Sequence, residues 1–158
     1  MIKSILEDNH LKKSDIKEIL VVNGPGSFTG IRIGVVIAKT LSYTLNIKIK
    51  TISSLETYGI SDHNSFDVIF IEDSKGFYYT KSDFKSFEYL KKDDFNILIN
   101  KNNYTVSNNR EYDFIKILDY SKNLPFTVSR KVNPIYIKRL NIWLENLKIM
   151  IIKKMFYY

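Results

Sequence analysis

A short β-type run, Ile19 to Val22, enters a glycine-rich turn and leaves it directly into a long helical pattern. The whole unit reads Val21-Val22-Asn23-Gly24-Pro25-Gly26-Ser27-Phe28-Thr29-Gly30-Ile31-Arg32-Ile33-Gly34. Glycine lacks a Cβ, so Gly24, Gly26 and Gly30 permit a turn too tight for other residues and a close approach of backbone. Ser27 or Thr29 can accept the free N–H groups at the start of the following helix. A chain built this way has a strand, a loop and a helix locked in sequence, which restricts it to layered α and β architectures.

The rest of the chain fits that restriction. Ile2, Ile5 and Leu6 fall at helical spacing, so residues 2 to 9 read as a short amphipathic helix, and Leu11 to Asp15 as a turn. The helix after the glycine loop is expected from Ile31 to about Leu45. It is apolar nearly all round and should be covered on more than one side. Ile47 to Ile52 alternates as a strand, and Ser53 with Glu56 forms a capping box for a short helix. Residues 59 to 66 are small and polar, and divide the chain into an expected first lobe, 1–60, and a second, 61–158. Val68 to Ile71 and Phe77 to Lys81 flank a turn at Asp73 to Gly76 and read as a hairpin. Ile97 to Ile99 and Tyr104 to Val106 are weaker strand candidates. Helices are expected at Glu111 to Tyr120 and, at the end, Asn141 to Lys154. The expected class is mixed α/β.

With no cysteine, disulfides and thiolate metal sites are excluded. Nothing at the start resembles a signal peptide, and no apolar run approaches the ~20 residues a membrane span needs. A cytoplasmic chain without membrane contact is expected, and the Lys-rich stretch Lys148 to Tyr158 reads as a packed terminal helix with a frayed aromatic end. The net charge of +7 invites a nucleic-acid reading. However, Ile, Lys, Asn, Tyr and Phe make up about half of the 158 residues, the mark of an A/T-rich coding sequence. Only four of the 24 basic residues are Arg, the side chain best suited to bidentate phosphate contact.

The residues bear on four chemistries. The glycine loop can bind an anion at a helix N-terminus. It matches neither the Walker loop nor the dinucleotide fingerprint, so a tight strand-to-helix turn is the stronger reading. Nucleophilic catalysis by Ser27 needs a base, and His10 and His63 lie in no motif. A metal site would rest on scattered carboxylates such as Glu72-Asp73 and Asp93-Asp94, which read as solvated surface. The apolar faces of the first two helices, with Ile2, Ile5 and Leu6 on one and Ile31, Val35, Ala38 and Leu41 on the other, pack either on their own sheet or on a partner.

The loop resembles the hallmark of the TsaB (YeaZ) family, with Gly24, Pro25, Gly26, Ser27, Phe28, Thr29, Gly30, Arg32 and Gly34 in place. Ser53-Ser54-Leu55-Glu56, Asp73-Ser74-Lys75 before Tyr78-Tyr79, and Pro134-Ile135-Tyr136-Ile137-Lys138 resemble further family motifs in the right order. The resemblance implies an actin-like, sugar-kinase-like fold of two lobes. Family members open with a three-stranded meander whose first strand ends in Asp-Thr-Ser, whereas this sequence opens within the first helix. The resemblance therefore implies a truncated N-terminal lobe, with the strand at Ile19 to Asn23 left as an edge. It also implies a non-catalytic subunit for making N6-threonylcarbamoyladenosine in tRNA, with no peptidase activity, metal or cofactor of its own. Its partners would be a TsaD-like catalytic subunit, a TsaE-like ATPase, or a second copy of itself, with tRNA reached through the complex. On this reading the two helix faces dock the partner, the glycine loop fixes the second helix, and Arg32 makes a polar contact across the interface. The rival readings are a phosphate- or nucleotide-binding enzyme and a degenerate family member.

Overall fold

The computed structural model describes residues 2–137. The helix expected at 141–154, the stretch 148–158 and Lys138 lie outside the described residues. The first part of the chain runs α1 (Ile2–Asp8), β1 (Glu18–Val22), α2 (Phe28–Leu45), β2 (Lys48–Ile52) and α3 (Ser54–Ser61). The second runs β3 (Val68–Asp73), β4 (Gly76–Lys81), β5 (Glu88–Lys91), α4 (Lys92–Asn102), β6 (Val106–Ser107) and α5 (Phe114–Ser121).

β1 and β2 pair in parallel, Glu18 opposite Lys48 through Val22 opposite Ile52, joined by the crossover helix α2. Parallel neighbours need such a crossover, since a tight turn can only reverse the chain. Val35 and Ala38 of α2 close over Val21 and Ile49, with Val132 completing the cluster. No strand among the described residues pairs with the other edge of β1. Residues 126–136 return to the sheet, at β2 through Thr127 and at the end of β1 through Ile135. Thr127 N–H donates to Ile49 C=O at 2.8 Å, and Ile135 N–H to Asn23 C=O at 2.7 Å. Lys50 is buried, donating from Nζ to Ser121 C=O at 2.9 Å with the Glu18 carboxylate 3.6 Å away. A buried ammonium is tolerated only with partners of this kind.

The second sheet has the order β5-β4-β3-β6, antiparallel except for the β3–β6 pair. Alternation places Val68, Phe70, Phe77, Tyr79 and Leu90 on one face, where Phe95, Leu98 and Ile99 of α4 cover them. Ile97–Ile99 is thus helix, not strand. Asp93 and Asp94 sit in the first turn of α4, complementing its dipole, while Asn103 ends it in the left-handed conformation. β5, which the sequence reading omitted, is short and pairs along β4.

α3 starts at Ser53 with the capping box expected from sequence: Ser53 Oγ accepts from Glu56 N–H at 3.0 Å, and Glu56 returns the bond to Ser53 N–H at 2.7 Å. At its other end Asp62 accepts from the Ser107 hydroxyl, tying α3 to β6. That hydrogen bond, then the Asn64 N–H, holds the Asp62 carboxyl below its ordinary value. The sign follows from linkage. A depressed folded pKa adds stability above the unfolded value near ~4, lost as pH falls through the folded one. Ser107→Ala is expected to raise the Asp62 pKa, read from its carboxyl carbon shift against pH; an unmoved midpoint would exclude this account.

Candidate functional site

β1 delivers the chain into the glycine loop at the carboxyl end of the parallel pair, and α2 begins there. The helix starts at Phe28, three residues before the expected Ile31, because Ser27 caps it: its Oγ accepts from Gly30 N–H at 3.3 Å. Gly24 has φ of +110° and Gly26 of +152°, backbone that side chains with a Cβ rarely adopt. Gly24 C=O accepts from Ser54 N–H at 2.8 Å, so the loop is pinned to the start of α3. Gly24 and Pro25 are buried, whereas Gly26, Ser27, Phe28, Thr29 and Gly30 are exposed. A cleft of about 430 Å³ opens between the loop, Ser54 and the rings of Tyr58 and Tyr112.

The helix faces are distributed differently from the sequence reading. Val35 and Ala38 are only 2% and 5% exposed and belong to the core, so they are withdrawn from the docking face. Ile31 and Leu41 are half-buried, Ile31 against the same core. The outward side of α2 carries Ile33 (55% exposed), Val36 (60% exposed), Ile37 and Tyr43. Spacing at i, i+3 and i+4 makes the first three one stripe. α1 buries none of its residues: Ile2 and Ile5 are exposed, Leu6 half-buried.

Arg32 is exposed, but it is engaged within its own chain. Its guanidinium lies 3.6 Å from the Phe28 ring centre, and Nε donates to the Tyr136 hydroxyl at 2.9 Å. This is cation–π stacking plus a hydrogen bond, a clasp that fastens the returning segment over the first turn of α2. The sequence reading missed Phe28 and Tyr136 as its partners, though both lie in the quoted motifs. His63 Nδ1 lies 3.1 Å from Lys116 Nζ. No helix among the described residues is long and apolar enough to cross a membrane.

This architecture is that of the actin-like fold. The YeaZ structure from Pseudomonas aeruginosa superposes with a TM-score of 0.67 at 13% identity, covering 85% of this chain and 81% of that one. A family model described as "TsaD: tRNA N6-adenosine threonylcarbamoyltransferase" matches residues 1–67. The tRNA threonylcarbamoyladenosine biosynthesis protein TsaB of Bacillus subtilis (strain 168) is 50% identical over 56 residues, 35% of this chain and 24% of that protein. TsaB of Buchnera aphidicola subsp. Schizaphis graminum (strain Sg) is 44% identical over 55 residues, 35% of this chain and 26% of that protein. The match thus spans about a quarter of the length of these curated relatives. The resemblance to the TsaB (YeaZ) family carried by the motifs is borne out.

Proposed function

We propose that the chain is a non-catalytic subunit in the formation of N6-threonylcarbamoyladenosine in tRNA, docking on a TsaD-like catalytic partner through α2 and α1. The names of its relatives supply the pathway, and the outward apolar stripe of Ile33, Val36 and Ile37 carries the docking reading. Each apolar side chain left in water on a helix forgoes about 1.5–3 kcal/mol of burial, so a stripe of them fits a surface covered by another polypeptide. Ile2, Ile5 and Leu6 of α1 supply the second helix of the contact. The glycine loop and the Arg32–Tyr136 clasp hold α2 rigid, and Arg32 itself serves the interface by that intramolecular bond. A TsaE-like ATPase joins through the catalytic subunit, and the same stripe supports pairing with a second copy when that subunit is absent.

Val36→Glu tests this reading, because it buries a charge in the contact and leaves the core untouched. Binding to a TsaD-like partner, measured by co-purification and calorimetry, is expected to fall on the order of a hundredfold. The circular dichroism spectrum should stay unchanged. Undiminished binding would end the docking reading.

The cleft between the glycine loop and Tyr58 favours a second reading, nucleotide binding at the carboxyl ends of β1 and β2. It requires nucleotide to raise the melting temperature of the isolated chain, and no shift would remove it.

A further inference from the structure

The segment between β6 and α5 builds a column of flat groups whose outer end neither the core nor the docking face uses. Arg110 Cζ lies 4.7 Å from the Phe70 ring centre and 5.7 Å from that of Tyr58. Tyr58 stacks on Tyr112 with centroids 5.0 Å apart and planes only 19° from parallel. Tyr112 is followed by Phe114, 6.1 Å away and tilted by 33°. The spacing is that of packed π-systems, and it runs outward from β3 of the second sheet.

The column is held deliberately. Asn109 donates from Nδ2 to Tyr58 C=O at 2.9 Å and Glu111 C=O at 3.1 Å, and its Oδ1 accepts from Glu111 N–H at 3.2 Å. Ser61 Oγ accepts from Asp113 N–H at 2.8 Å. The Tyr112 hydroxyl donates to that of Tyr58 at 3.0 Å. Partial burial first, then this hydrogen bond, pushes the Tyr112 hydroxyl pKa up to about 12, so it stays a neutral donor. These bonds orient the rings, yet the outer end of the column is left bare. Phe114 is 69% exposed and Tyr112 is exposed as well. A cavity of about 420 Å³ opens beside the two rings and also takes in His63 and Glu111.

We propose that this column is a stacking site for an unpaired nucleobase, through which the chain touches single-stranded RNA directly. The inference deepens the tRNA reading and rests on it only for the kind of nucleic acid. The cavity volume lies in the range of small-molecule sites and exceeds what one base needs. The Phe114 ring, with the outer part of Tyr112, offers the π-face, as in proteins that hold single strands on aromatic platforms. The base edge meets His63 and Glu111. Lys116 Nζ, which can only donate, stands 3.1 Å from His63 Nδ1 and so leaves the ring proton on Nε2 as a donor. Glu111 supplies an acceptor. Arg110 and Lys116 flank the site, but so do Asp62, Glu111 and Asp113. Affinity here therefore comes from ring faces, not from phosphate attraction.

The test uses the full chain without any TsaD-like protein, so its failure and the failure of the docking reading are separate events. A fluorescein-labelled oligoadenylate of about eight nucleotides is titrated by fluorescence anisotropy, alone and paired with its complement. The chain is expected to bind the single strand and to prefer it over the duplex. Phe114→Ala should weaken binding on the order of tenfold, and Phe114→Trp should restore it. The dependence on salt should be shallow, the equivalent of one or two phosphate contacts. Four results would each overturn the proposal: no anisotropy change at about 100 µM protein, duplex bound as well as single strand, Phe114→Ala binding as tightly as the unaltered chain, or a steep salt slope. Phe114 is exposed at the first position of α5, so its replacement leaves the core intact.

Discussion

Phe95→Ala is expected to remove about 3–5 kcal/mol of stability, a large share of the roughly 5–15 kcal/mol that holds an ordinary domain folded. Phe95 is buried on the inner side of α4, and its ring meets three others: Phe77 with centroids 4.7 Å apart, Tyr79 at 5.5 Å and Phe70 at 5.6 Å. Those rings come from β3 and β4, so one side chain joins the helix to two strands of the second sheet. Truncation leaves a cavity whose walls are themselves rigid rings, which collapse poorly into the space. Urea denaturation at constant pH is the measurement. If Phe95→Ala yields no folded protein, Phe95→Leu keeps the question open, with a loss expected at about 1–2 kcal/mol. A midpoint unmoved by either substitution would show that α4 does not hold the sheet.

Gly76→Ala is expected to cost about 3 kcal/mol or more, the upper end of what overpacking does. Gly76 pairs with Asp73 across the hairpin and with Lys91 of β5. A methyl group there would run into the Leu90 carbonyl, a backbone atom that cannot rotate aside, and into the Tyr89 hydroxyl. Relief comes only by parting β4 from β5, which loses the register of a whole edge. Gly34→Ala is the matched comparison. Nothing lies within 4 Å of a Cβ built at Gly34, and the residue is helical, so alanine should add about 0.5–1 kcal/mol. Opposite signs for one chemical change would separate contact from propensity, and equal losses at both glycines would refute this account.

What could be read in the sequence was what local chemistry decides. The Ser53–Glu56 box and the hairpin around Asp73 to Gly76 each need only a few neighbouring residues and stand where expected, while of the two caps the sequence offered, Ser27 and Thr29, Ser27 is the one used. α2 was legible as a helix but not as a surface. Its residues are apolar on both sides, so spacing alone could not say whether Val35 and Ala38 or Ile33 and Val36 face the core. Val21, Ile49 and Val132 decide that, and they come from three distant segments. Ile97–Ile99 looked like a strand because three residues in a row carry no period. Within α4 that stretch packs Leu98 and Ile99 against the sheet and leaves Ile97 in water. The aromatic column escaped notice for the same reason, since Tyr58, Arg110 and Tyr112 meet only after α3 and the segment before α5 fold together.

The bonds from Asn133, Ile135 and Tyr136 back to Asn23 and Arg32 bridge more than a hundred positions. During synthesis the glycine loop therefore leaves the ribosome long before its last fastening exists. Proteins dominated by such distant pairings fold slowly and keep sticky surface uncovered meanwhile. Until residues 133–136 have emerged, the first turn of α2 lacks the Arg32–Tyr136 clasp and the glycine loop lacks its bonds to Asn133 and Ile135.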